Sequence, residues 1–162
     1  MEEVIFACLD GDIQDAAMDF AVWMSENKLP FKICTSTTRS QRAIYNGKVI
    51  CQMQVYADNE FGVSPKHNPA IPQHWVVTIF LWDIDNNSNA VTAEGMQDFV
   101  WNNIAHCVKC KRVCDGGRTL TILNKEIDGI CRNRLCVEVK NPDVATIKNL
   151  KKLIEFEKKA KE

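Results

Sequence analysis

HCVKCKRVCDGGRTLTILNKEIDGICRNRLC, residues 106–136, holds five of the eight cysteines of this 162-residue chain. Cys107, Cys110 and Cys114 lie within eight residues, and Cys131 and Cys136 follow a stretch that reads as a small β unit. A Cys-x-x-Cys turn presents two thiolates to one ion, and zinc takes four soft or borderline ligands arranged as a tetrahedron. Cys107 and Cys110 meet that spacing, which leaves the other two corners to be assigned. One choice is Cys114 with Cys131. The other is Cys131 with Cys136, leaving Cys114 spare, but its Cys-x4-Cys spacing makes a less usual knuckle. A strand LCVEV at 135–139 would turn Cys136 the same way as Glu138 and away from Val137. The preferred ligand set is therefore Cys107, Cys110, Cys114 and Cys131 around a structural Zn²⁺, with His106 as a replacement ligand.

Three rivals compete with zinc. An iron–sulfur cluster also takes four thiolates, but this spacing matches no common ferredoxin run. A dithiol redox centre needs its cysteines at a helix N-terminus, where the dipole lowers the thiol pKa. Here the pair follows the end of an expected helix. The bland alternative is a set of free thiols in a reduced protein.

The rest of the chain supplies a core for this stretch. Ile13, Ala16, Ala17, Phe20, Trp23 and Met24 recur at helical spacing, so 13–27 reads as an amphipathic helix capped by Asp12 and stopped before Pro30. The earlier run VIFACL, 4–9, is either a short strand or the lead-in to a helix. FKICTS at 31–36 alternates as a strand. AIYNGKVICQMQVY at 43–56 carries Asn46-Gly47 between β-prone runs, the strongest short hairpin signal. Cys51 shares a face with Val49, Met53 and Val55 and reads as a small buried hydrophobe, as do Cys8 and Cys34.

Residues 57–73, with three prolines and His67, read as a long exposed loop. HWVVTIFLWD, 74–83, is apolar on both faces and reads as a covered central strand. Asp83 and Asp85 then lead into a turn. Thr92 caps an expected helix over 93–105, weakened in its first turn by Gly95. RTLTIL (118–123) and LCVEV (135–139) read as strands with a turn in NKEIDG. Asn141-Pro142-Asp143 starts a last helix over 142–158 with Asn141 as cap and Val144, Ile147, Leu150 and Ile154 inward. Its end, EKKAKE, should fray.

The expected fold is one α+β domain over 1–162, a mostly antiparallel sheet packed by about three helices, with the cysteine-rich subregion 106–136 pinning the C-terminal part through its metal. Apolar residues at 46% and charged residues at 25% fit a globular protein. No stretch reaches the roughly 20 apolar residues of a membrane span. The acidic start MEEVIFACLDGD is unlike a secretory signal, so the expected location is the cytoplasm. In that reducing compartment structural disulfides are disfavoured, which adds weight to metal ligation.

The net charge of −1 conceals an asymmetry. Residues 1–106 carry 6 basic and 13 acidic side chains (−7), residues 107–136 carry 7 and 3 (+4), and the remainder adds +2. Cations beside thiolates compensate their charge. A nucleic-acid backbone is the less favoured reading of the same cations.

The run Cys-x-x-Cys-x-x-x-Cys, followed by GGRTLTILNKEIDGIC and by NPD before the last helix, resembles a family of small, uncharacterised bacterial proteins with a cysteine-rich C-terminal stretch. FAVWMSENKLP and YNGKVICQMQV are similar to the N-terminal half of the same proteins. The resemblance implies that Cys107, Cys110, Cys114 and Cys131 act as a set, and it carries no activity.

The sequence lacks a nucleophile elbow, a phosphate loop or a His-rich open metal site. The expected function is therefore a binding or sensor-type domain rather than an enzyme, with a ligand or protein partner near 57–73. The alternatives are a thiol- or metal-dependent enzyme with an open ligand position, and a nucleic-acid binder using Lys109, Lys111, Arg112, Arg118, Arg132 and Arg134 on one face.

Overall fold

A computed structural model of the chain describes residues 1–33, 40–56, 74–107, 116–131 and 134–159. Five helices and seven strands form in these segments, with a five-stranded sheet in the order β1-β2-β3-β4-β7 and a separate two-stranded sheet, β5-β6. The class is α+β, with antiparallel pairing. Internal contacts divide the chain into two compact units, 1–77 with 139–147, and 78–138 with 148–162. The expected loop at 57–73 and His67 lie outside the described residues.

In the first unit, α1 (Glu2–Cys8) packs against α2 (Gly11–Glu26) and against the third strand of the sheet, 48–56. VIFACL is thus helical. Asp10, not Asp12, occupies the N-cap position of α2. Ala17, Phe20, Ala21 and Met24 form its fully buried stripe, while Ile13, Ala16 and Trp23 lie at its half-buried margins. Phe20 sits at the centre, with its ring centroid 6.0 Å from Trp75 and 6.3 Å from Phe31, in the tilted geometry that aromatic quadrupoles favour.

The C-terminus of α2 closes with two backbone bonds, Lys28 N to Ser25 O and Leu29 N to Met24 O. This is the Schellman arrangement, and the residue that adopts the left-handed conformation is Lys28, at φ 62°. A lysine there carries a left-handed cost that glycine escapes, about 1–2 kcal/mol. Glycine's extra unfolded-state entropy offsets part of the gain. Lys28→Gly is therefore expected to raise stability by about 0.5–1 kcal/mol in thermal denaturation; an unchanged or lowered melting temperature would contradict this account.

β1 (Lys32–Ile33) pairs antiparallel with β2 (Ser40–Tyr45), which pairs antiparallel with β3 (Lys48–Tyr56). The expected hairpin forms at Asn46-Gly47, whose φ angles of 47° and 77° suit a two-residue turn of the I′ kind. Cys51, Met53 and Val55 are buried on one face and Cys51 lies opposite Ala43. Burial pushes the Cys51 thiol far above its ordinary pKa, so it behaves as a core hydrophobe. β4 (His74–Phe80) runs between β3 and β7 and is buried on both faces from Trp75 to Phe80, as apolar residues on both its faces require; Thr78 is its one polar residue within that span.

β7 (Cys136–Lys140) lies antiparallel to β4, since Trp75 O accepts the Asn141 N–H at one end and Leu135 O accepts the Leu81 N–H at the other. The Asn141 side chain also accepts the Trp75 N–H, at 2.9 Å. That bond explains why Asn141 is not the cap of the last helix. Asp143 takes the role instead, its Oδ1 accepting the Thr146 N–H at 2.8 Å. The Thr146 hydroxyl and amide hold the Asp143 carboxyl below its usual range. The helix, α5, then runs Val144–Lys159. Val144, expected to face inward, is 80% exposed because it stands in the first turn beyond the cap.

The expected helix over 93–105 is two helices, α3 (Ser88–Ala93) and α4 (Gln97–Asn103). Thr92 lies inside α3 rather than capping α4. Gly95, at φ 66°, makes the break. Its N–H bonds Thr92 O and the Met96 N–H bonds Val91 O, so the glycine ends one helix instead of weakening the start of another. Asp83 and Asp85 lie in the turn before α3, where Asp83 O accepts the Asn87 N–H and Asp85 O accepts the Ser88 N–H.

Of the NKEIDG segment, 124–129, Asn124 lies in the turn and the remainder is strand. Leu123 and Asn124, at φ 51° and 65°, turn the chain, and β6 (Lys125–Ile130) pairs back on β5 (Arg118–Ile122). Among the described residues no helix is long and apolar enough to cross a membrane.

Candidate metal centre

The site is built where the chain leaves α4. Ile104 makes an antiparallel bridge to Val137, and the Ala105 N–H bonds Cys136 O. One residue later the segment turns to the small hairpin: His106 bridges Ile130 and the Cys107 N–H bonds Gly129 O at 2.7 Å. Residues 104–107 thus form a short seam between β7 and β6.

Cys107 follows His106, and Cys131 follows Ile130 on the antiparallel partner. The two cysteines therefore stand in the diagonal cross-strand relation, with Cα atoms about 7–8 Å apart in ordinary sheet geometry. Both are free thiols and half-buried, unlike the core cysteines Cys8, Cys51 and Cys136. A pair of accessible sulfurs on neighbouring chains fits two corners of a thiolate metal site. Cys110 and Cys114 lie outside the described residues. Among the described residues no three His, Cys, Asp or Glu side chains come together as a metal-holding group.

His106 is oriented by backbone. Its Nδ1 lies 3.0 Å from Asp128 O, and because a carbonyl can only accept, Nδ1–H is the donor. Its neighbours in an extended segment project to the other face, so His106 and Cys107 diverge. Thr119 donates to Asp128 Oδ1 at 2.9 Å.

Cys136 belongs to β7 and is buried. Its thiol is pushed up to about 11, by burial first, with Arg134 opposing and Glu138 and Cys131 adding to the rise.

Two features of the seam carry little signal in the sequence. Gly117 packs against Gly129 so closely that a Cβ on Gly117 would stand 2.4 Å from the Gly129 carbonyl carbon. At the far end of the hairpin, Trp101 on α4 donates its indole N–H to Ile122 O at 2.8 Å, with Lys125 Nζ 4.9 Å from its ring centroid. The pair Gly116-Gly117 is the only hint of the first, and nothing local announces the second. Of the six cations considered for nucleic acid, Arg118 and Arg134 are described and exposed. The other four lie outside the described residues. No family model, curated protein or solved structure matches the chain.

Proposed function

We propose that the chain is a small cytoplasmic binding module, without catalysis of its own, whose C-terminal part is held by a structural Zn²⁺ on Cys107, Cys110, Cys114 and Cys131. A ligand or protein partner would engage it near residues 57–73. The observation that carries the metal reading is the placement of Cys107 and Cys131. They are half-buried thiols on two antiparallel chains, one on each side of the His106–Ile130 bridge. The ligand set agrees with the cysteine spacing and with the resemblance to the small bacterial proteins. Neutral thiols would compete poorly for the ion, so metal binding would release protons from the cysteines.

Protein purified without chelator is expected to hold one zinc per chain, and Cys107→Ser and Cys131→Ser are each expected to lose it. Structural zinc in isolated finger peptides is worth about 10–16 kcal/mol of apparent binding free energy near neutral pH. Loss of the metal should accordingly lower thermal stability well beyond the effect of a surface substitution. Near-zero zinc in the unmodified protein, with both variants as stable as the parent, would overturn the proposal. Iron with a visible charge-transfer band would replace zinc by a cluster.

A further inference from the structure

We infer that the cross-strand row Lys32, Arg42 and Gln52, on strands β1, β2 and β3, is a binding site for a phosphate group. The row is fixed by register: Lys32 stands directly opposite Arg42, and Arg42 directly opposite Gln52. Residues opposed in this way share a face of the sheet, with Cβ atoms about 4.5–5.5 Å apart. Gln52 alternates with Cys51 and Met53, which are fully buried, so the row lies on the other face. There Lys32 is exposed, while Arg42 and Gln52 are half-buried.

Two cations directly opposite each other repel and weaken a sheet. Residues 27–56 hold five basic side chains and no Asp or Glu to offset them. Among the described residues Lys32 has no ion pair, and the Arg42 side chain bonds Gln52, whose Oε1 accepts from Nε at 3.1 Å. Arginine can only donate, so Gln52 turns its oxygen to Arg42 and keeps its NH2 for another partner. With that bond made, the row offers the Lys32 ammonium, the terminal nitrogens of Arg42 and the Gln52 amide, all of them donors. Donors carrying two positive charges match an oxyanion of two negative charges. A phosphate monoester supplies about −1.5 to −2 charges and three acceptor oxygens near neutral pH, whereas a single carboxylate leaves one cation unmatched. The planar fork of Arg42 suits two phosphate oxygens at once, and Lys32 adds a point charge beside it. The repulsion that weakens the free sheet becomes attraction once a dianion lies between the two cations.

Titration of the full chain with inorganic phosphate, acetate or chloride at constant ionic strength, followed by nitrogen-edited NMR, tests this. The Arg42 Nε–H and Gln52 NH2 signals are expected to shift saturably with phosphate, half-saturating at or below about 1 mM. Acetate should bind at least about tenfold more weakly. Arg42→Gln and Lys32→Gln should each weaken phosphate binding about tenfold or more. Lys48→Gln, about 13 Å along β3 from Gln52 and beyond the screening length, should leave it unchanged. Because Lys32→Gln removes a like charge, it should melt no lower than the parent, so its weaker binding cannot come from unfolding. The absence of a saturable phosphate response, an equal response to acetate, or parental affinity in either variant would overturn the site. No cysteine takes part in it, so these outcomes are separate from the zinc content of the protein.

Discussion

Gly117→Ala should destabilise the protein by about 1–3 kcal/mol or more, although the residue is exposed. The added methyl would sit 2.4 Å from the Gly129 carbonyl carbon, 2.6 Å from its Cα and 2.7 Å from its oxygen. All three atoms belong to backbone, so no side chain can swing aside. The neighbouring strand has to move, and it is the strand whose Gly129 oxygen accepts the Cys107 N–H and whose Ile130 meets His106. The damage therefore falls on the seam that carries Cys107 and Cys131. Thr121→Ala, an exposed change in β5, the strand that follows Gly117, is the comparison and should cost no more than about 0.5 kcal/mol. Chemical denaturation of the two variants decides the matter. Equal midpoints would show that the hairpin tolerates a Cβ at 117, and the close packing would carry no weight.

Glu157→Ala is the second large effect, with an expected loss of about 2–4 kcal/mol. The glutamate comes from the charged end of the chain, in EKKAKE, where fraying is the natural expectation. Instead its side chain is 1% exposed. Its two carboxylate oxygens accept the Trp82 N–H at 3.0 Å and the Asp83 N–H at 3.4 Å, in the turn that follows β4. Asn87 adds a bond from its side-chain amide to Phe156 O. Alanine removes the acceptor from both backbone donors, and a buried donor left unmet costs more than its bond contributes. Glu157→Gln retains one oxygen and should fall between alanine and the parent. A urea midpoint unchanged in the alanine variant would show that water replaces the carboxylate without loss.

The elements legible from sequence share one property, that neighbouring residues settle them. Asn46-Gly47 needs only the two runs beside it to specify the β2–β3 hairpin. The stripe of α2 is visible because Phe20 and Met24 repeat at helical spacing, and β4 because apolar residues on both of its faces leave no polar face to offer solvent. Cys51 was readable as core for the same reason. Cys107 and Cys131 lie one on each side of the His106–Ile130 bridge, a placement that the cysteine spacing alone did not specify.

Two of the misreadings have a distant partner as their cause. Asn141 has the composition of a cap, but Trp75, 66 residues earlier, takes its side chain, so Asp143 caps α5. NKEIDG looks like a turn because it is polar. Asn124 does lie in the turn, but the rest becomes β6 because β5 and the 106–107 seam supply its hydrogen-bond partners. Gly95 was visible as a weakness, yet its left-handed conformation ends α3 rather than disturbing α4. VIFACL was ambiguous at its length, and packing with α2 goes with its helical form.

By itself the sequence determined the α+β class, the Asn46-Gly47 hairpin, the central apolar strand and the grouping of cysteines after the helix that ends near residue 103. These follow from hydrophobic period, turn chemistry and the positions of the cysteines, which are properties of a few neighbouring residues. Only the tertiary structure decided that Cys107 and Cys131 flank one bridge, that Gly117 rests on Gly129, and that Glu157 closes the turn after β4. Hydrogen-bond satisfaction and close packing join residues far apart in the chain, and no local pattern records which partners they will find.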